Sequence, residues 1–196
     1  MSKRFRGATR LAVAALLALS AYGSWAQDVE RMEVSAAYSY VRANAPPGAC
    51  GCFSMNGGEG WFAYNFSRAW AAVGEIGVAH ASNIDGTTGD LTLTSFLGGP
   101  RYSWRRSARI APFGQFLIGG AHGSGALTPA LSGLPSDANA FAMSTGGGVD
   151  ATVSRHWAVR MIELDYYLTR FNNATNNHQN NLRIGVGIAY RFGGRR

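Results

Sequence analysis

The chain has 196 residues, of which 46% are hydrophobic, 12% aromatic and 15% charged, against about 25% charged in ordinary soluble domains. This length sets an expectation of one domain, and the composition argues against a coiled coil, a disordered tail or a well-solvated cytosolic enzyme. The formal charge of +7 suggests a nucleic-acid binder until its distribution is read.

Lys3, Arg4, Arg6 and Arg10 precede the apolar run Leu11 to Leu19, and small residues Ser24 and Ala26 stand just before Gln27. These are the three regions of a secretory signal peptide, predicted over residues 1–26, and the apolar run is too short for a membrane helix. Removing those four cations leaves fourteen arginines against eleven acids, a net +3 with no basic stripe, so no nucleic-acid partner is expected. The two cysteines, Cys50 and Cys52, lie in the loop-like Pro46-Pro47-Gly48-Ala49-Cys50-Gly51-Cys52. In an oxidising compartment they can pair as a tight local disulfide. A thiolate metal site would need further ligands at matching spacing, and none is present. No metal and no cofactor are expected.

After residue 27 the chain alternates with period two, and turn residues interrupt it every ten to fifteen positions. Segment 32–41 sets Val34, Ala36, Tyr38 and Tyr40 against Glu33, Ser35, Ala37 and Ser39. Segment 57–66 sets Phe62, Tyr64 and Phe66 against Glu59, Trp61, Ala63 and Asn65. Segment 70–80 sets Trp70, Ala72, Ile76 and Val78 against Glu75, Gly77 and Ala79. The pattern blurs over 91–104, where Gly98-Gly99-Pro100 suggests a bulge or bend. It resumes at 110–121 and at 139–153, where Phe141, Met143, Val149, Ala151 and Val153 oppose Ser144, Gly146, Gly148 and Asp150. Segment 157–171 alternates Ile162, Leu164, Tyr166 and Leu168 with Glu163, Asp165, Tyr167 and Thr169. In segment 182–192, Leu182, Ile184, Val186, Ile188, Tyr190 and Phe192 face away from Arg183, Gly185, Gly187, Ala189 and Arg191. Eight strands result.

Long links (42–56, 81–90, 122–138, 172–181) alternate with short ones (67–69, 105–109, 154–156). That is the pattern of a transmembrane β-barrel, with short periplasmic turns and long external loops. Every second side chain can face lipid over the nine to eleven or so residues needed to cross it. Tryptophan suits membrane interfaces, and Trp61, Trp70, Trp104 and Trp157 are all expected near strand ends. Phe66, Trp70, Trp104, Trp157, Tyr190 and Phe192 form the expected periplasmic girdle. Because lipid tolerates no open sheet edge, the sheet should close. The competing architecture is a soluble periplasmic lipocalin-like barrel that binds a ligand, with its apolar face turned inward.

Residues 27–192 resemble the small outer-membrane barrels of the OmpA/OmpX type, and residues 193–196 read as a short basic tail. The final segment, ending in Tyr190-Arg191-Phe192, is similar to the aromatic-ended signal read by the outer-membrane assembly machinery. Gly98-Gly99-Pro100-Arg101-Tyr102 and Gly146-Gly147-Gly148-Val149-Asp150 also resemble strand segments of this family. The resemblance implies an all-β, eight-stranded antiparallel up-and-down barrel in the outer membrane of a Gram-negative-type bacterium, likewise monomeric. Its partners would be membrane lipid, lipopolysaccharide and the assembly machinery, and no peptidoglycan-binding domain follows.

Eight strands leave an interior that side chains fill. Parity places Glu59, Glu75, Asp150, Glu163 and Asp165 in the lumen with Arg183 and Arg191, as a structural ion-pair network. Arg160 falls on the lipid side by plain alternation, so either a bulge shifts the register or the side chain reaches the interface. An enzymatic alternative rests on His80-Ala81-Ser82-Asn83, which resembles the His-x-Ser-Asn piece of lipid A deacylases. A serine–histidine pair needs a third, orienting group, and Asp85 and Asp90 stand at spacings that do not match. The expected role is therefore non-enzymatic: envelope structure, surface interaction or a narrow conductance. Replacing Phe192 by Ala should lower the amount of protein assembled in the outer membrane, measured as the heat-modifiable band on SDS gels of membrane fractions.

Overall fold

The computed structural model describes residues 29–43, 53–82, 90–107, 109–125, 137–172 and 177–195. The alternating segments form eight strands: β1 (Glu30–Ala43), β2 (Phe53–Asn65), β3 (Trp70–Ala81), β4 (Leu91–Ser103), β5 (Ile110–Gly125), β6 (Asp137–Thr152), β7 (Trp157–Thr169) and β8 (Gln179–Arg195). Each pairs antiparallel with its sequence neighbour, and β1 pairs with β8 to close the barrel. The seam runs from Met32 opposite Phe192 to Arg42 opposite Leu182. Closure gives every strand two hydrogen-bonded neighbours, as a sheet in hydrocarbon requires.

The pleat decides which side chains meet lipid. On β5, Phe116 is 45% exposed and the adjacent Leu117 is 0%. Val34, Phe62, Ile76, Phe96, Ile118, Leu164 and Ile188 point outward with Phe116, whereas Glu33, Glu59, Glu75, Arg101, Asp165 and Arg183 are buried inside. This is the reverse of a lipocalin-like barrel, whose apolar face would turn inward. At the short-turn end, Trp70, Tyr102 and Trp104 meet edge to face at 5.0 and 4.8 Å between ring centroids. Trp157, Tyr190 and Phe192 continue that girdle at 4.9 and 5.9 Å.

Four details differ from the expectation drawn from the sequence. The strands extend further toward the long loops, with Ala43 pairing Phe53. There, cross-strand polar bonds on the outer face replace apolar alternation: Tyr38 donates to Asn56 Oδ1 at 2.6 Å and Arg42 to Ser54 Oγ at 2.9 Å. Gly98-Gly99-Pro100 introduces no bulge; Gly98, Gly99 and Pro100 pair in unbroken register with Gly74, Val73 and Ala72. Trp61 is not an interfacial tryptophan. It lies within β2, 3% exposed, on the lumen face. Finally, β8 continues past Phe192 to Arg195, through a register shift and the positive φ angles of Gly193 and Gly194.

The bulge is in β7. Asp150 pairs Arg160 and Val149 pairs Ile162, while on the other side Arg160 pairs Gly187 and Glu163 pairs Gly185. One extra residue is thus accommodated. Met161 and Ile162 both face outward, at 54% and 41% exposure, and Arg160 and Glu163 on either side are both 1% exposed in the lumen. Forcing all of these residues into plain alternation would turn Arg160 or Glu163 toward lipid, where an arginine at mid-depth costs about 2–4 kcal/mol, whereas deleting Ile162 removes the extra residue and leaves both charges inside. The deletion should therefore retain the SDS-resistant form of the refolded protein, whereas Met161→Arg, which places a charge on the lipid face, should lose it.

Candidate functional site

Two layers of charge fill the lumen. Nearer the short turns, Arg160 of β7 donates to Asp150 Oδ1 at 3.0 Å and to Glu163 Oε2 at 2.9 Å. Its guanidinium lies between the rings of Trp61 and Phe113, at 4.7 and 4.5 Å from their centroids. Glu33 accepts from Arg101 at 3.2 Å and from Arg191 at 2.8 Å, and Arg160 approaches it to 3.8 Å. Gln115 joins Arg101 to Glu163. Three arginines thus meet three carboxylates, with aromatic faces supplying the cation–π contacts that weakly hydrated guanidinium favours. Glycine is required at 148 beside this layer, because a Cβ there would press on the Ile162 carbonyl oxygen and lie 2.9 Å from Phe113 Cζ.

The second layer, nearer the long loops, is built on one cation. Arg183 of β8 donates to both oxygens of Glu75 at 2.6 and 2.9 Å and to Asp165 Oδ2 at 2.7 Å, and its Nε lies 3.1 Å from Glu59 Oε1. Its guanidinium also lies 5.4 Å from the Tyr167 ring. Trp61 ties the layers together, donating its Nε1–H to Glu75 Oε2 at 2.9 Å while its ring faces Arg160. Ser39, Glu59, Ser95, Tyr167 and Arg183 surround a cavity with room for about one water molecule. Beyond it Val41, Ala43, Met55, Ala79, Ala81, Leu91, Leu93 and Phe171 form the loop-side part of the buried apolar cluster and cap the charged layers there.

All seven lumen residues expected from parity therefore point inward, divided between the two layers. Glu33, Arg101, Gln115 and Trp61 complete them. Glu33 and Trp61 already stood on the polar face of their segments. Arg101 shares the parity of Leu91, Leu93 and Leu97, so extending the β4 alternation through the glycines would have found it. Arg160 needed the bulge.

On the outer face, His80 and Ser82 do come together. His80 Nε2 lies 3.0 Å from Ser82 Oγ, and Nδ1 lies 2.9 Å from Thr92 Oγ1. A hydroxyl, not a carboxylate, thus occupies the position that orients the imidazole in a catalytic triad. Asp85 lies outside the described residues, as do Cys50 and Cys52 with their expected disulfide, and the signal peptide. Among the described residues, no group of three or more His, Cys, Asp or Glu side chains is arranged to hold a metal ion. His122 bonds Asn139 at 2.9 Å and Tyr166 donates to Asn180 at 2.5 Å, so a polar, hydrogen-bonded band follows the loop-side rim.

The family model described as the outer membrane protein beta-barrel domain matches residues 11–192. No curated protein sequence matches the chain significantly. Among solved structures, the chain is similar to Neisserial surface protein A, with a TM-score of 0.62 and 13% identity over 82% of this chain and 97% of that one. It is also similar to the attachment invasion locus protein Ail of Yersinia pestis, with a TM-score of 0.55 and 16% identity over 84% of this chain and 99% of that one. Ail in complex with the heparin analogue sucrose octasulfate matches at a TM-score of 0.56, with the same identity and coverage.

Removing one partner of a buried ion pair costs about 3–5 kcal/mol, because the remaining charge stays buried and uncompensated. Arg183→Met strands three carboxylates, whereas Glu59→Gln removes one of three acids from the same cation. In urea unfolding of the barrel in bilayers, Arg183→Met should be the more destabilised of the two by several kcal/mol.

Proposed function

Since the chain belongs to the outer membrane protein beta-barrel domain family and lies in the outer membrane, we propose that it works as a sealed, monomeric, non-enzymatic barrel whose long-loop end makes surface contacts. The observation that carries this reading is the interior. The lumen arginines are bonded to carboxylates across the barrel, and an apolar layer covers them. Opening a diffusion path would break buried ion pairs and also expose apolar surface to water. The interior is thus a core, and binding work falls to the ends, as is usual for loops carried on a rigid scaffold.

Sequence composition fits that division. The third long link contains Leu127, Leu131 and Leu134 among prolines and glycines, and the fourth is rich in asparagine. A similarly built barrel, Ail, has been solved with a heparin analogue, which supports ligand contact as work this fold can do. Tyr190 and Phe192 supply the contact to the assembly machinery, and the outward apolar belt and loop-side polar band face lipid and lipopolysaccharide. The His80–Ser82 pair is a hydrogen-bonded part of that band; among the described residues it is the Thr92 hydroxyl, not a carboxylate, that meets Nδ1, and a hydroxyl orients an imidazole without the charge that helps activate a serine.

Planar-bilayer recordings of the purified protein should show no stepwise conductance, and lipid A from cells expressing wild type or Ser82→Ala should give the same mass spectrum. Discrete channel openings would overturn the sealed barrel. Deacylated lipid A that disappears with Ser82→Ala would overturn the non-enzymatic reading. Exchanging residues 126–136 for a Gly/Ser linker should leave the heat-modifiable band intact while weakening cell attachment to sulfated glycans.

A further inference from the structure

The short-turn end of the barrel has its own chemistry, independent of the loop-end reading. Arg68 stands exposed in the β2–β3 turn, Arg106 and Arg109 in the β4–β5 turn, and Arg31 at the start of β1. In the β6–β7 turn the side chain of Arg155 is 63% exposed, 4.0 Å from Glu30. Glu30 is the acid that the described residues place at this rim outside the two lumen layers.

The turns that carry these cations are fixed. Ser67 Oγ accepts from Trp70 N at 2.9 Å and from Ala69 N at 3.3 Å, closing the first turn. Arg105 clasps the first two turns together, donating to the Arg68 carbonyl at 2.8 Å and to Asn65 Oδ1 at 3.2 Å. Burial lowers its pKa to about 10, which leaves it cationic at neutral pH. The third turn is closed by Ser154, whose Oγ accepts from Trp157 N at 3.2 Å. Each turn directly adjoins the aromatic girdle of Trp70, Tyr102, Trp104, Trp157 and Tyr190, which marks the depth of the membrane interface. The arginines therefore sit at headgroup level and are spread round the barrel rather than gathered on one side.

We propose that this arginine rim binds the phosphates of anionic phospholipids in the periplasmic leaflet, holding a ring of them against the barrel. Guanidinium presents a planar fork that matches phosphate oxygens two at a time. A ring of separated cations at headgroup depth fits many small lipid anions, whereas one macromolecular partner would call for a contiguous patch. Each arginine close to an anionic membrane surface strengthens association by a factor of roughly five, so several together give a strong preference.

The test uses the full mature chain in nanodiscs of phosphatidylcholine containing a minor share of phosphatidylglycerol or cardiolipin, with retained lipids counted by native mass spectrometry. Wild type should retain the anionic lipids over phosphatidylcholine, less so as salt rises. A combined Arg68→Gln, Arg106→Gln, Arg109→Gln and Arg155→Gln variant should lose that preference more than tenfold, while Arg42→Gln with Arg170→Gln, at the loop end, should keep it. If the combined variant lacks a heat-modifiable band, the pair Arg68→Gln and Arg109→Gln replaces it, with a smaller loss expected. Equal retention of anionic and zwitterionic lipid by wild type would overturn the proposal. So would full retention by the rim variant, or binding of soluble peptidoglycan fragments that anionic lipid fails to displace.

Discussion

Arg160 is the residue on which the interior depends. It is 1% exposed, lies between two aromatic rings and contacts three carboxylates from three strands. A charge this deep is tolerable only when paired and hydrogen-bonded, and the pairing exists because the extra residue of β7 is taken up as a bulge on the lipid face. The bulge lets two successive apolar side chains, Met161 and Ile162, face lipid while the charged residues on both sides of them face in. Without it, strand 157–169 would have to expose either its arginine or its carboxylates to the membrane.

From this follows the division of labour. A lumen with arginines from β4, β7 and β8 joined to acids from β1, β2, β3, β6 and β7 couples strands far apart around the barrel. The apolar layer above it shields these pairs from water on the loop side. The interior then resembles the core of a soluble protein with polarity reversed: charge within, hydrocarbon-facing side chains without. The two ends are chemically unlike, with a hydrogen-bonded polar band toward the long loops and cationic turns on the opposite side.

Much of this was legible in the sequence. Period-two alternation gave the eight strands, and the alternation of long with short links gave the up-and-down order. Parity then placed Glu59, Glu75, Asp150, Glu163, Asp165, Arg183 and Arg191 inside. Parity fails where the backbone breaks its own period, so it leaves Arg160 open and the pairing of β7 with both neighbours decides it. Trp61 was misassigned to the interface because residues 53–56 look like loop. Polar side chains there extend the strand beyond lipid, which moves Trp61 inward along β2. Gly98-Gly99-Pro100 suggests a bulge or bend, but the missing proline donor leaves a gap in the β4–β5 ladder without the register shift of a bulge. The apolar cap was invisible because small residues such as Ala43, Ala79 and Ala81 carry little periodic signal.

The most direct test is a nitroxide scan of residues 158–166, one position at a time, in a chain with Cys50 and Cys52 replaced by Ser and reconstituted in bilayers. Oxygen accessibility, which reports contact with lipid, should be high at 159, 161, 162, 164 and 166 and low at 158, 160, 163 and 165. The two adjacent high values would place the bulge and the buried arginine together. Unbroken alternation through 160–163 would contradict the account.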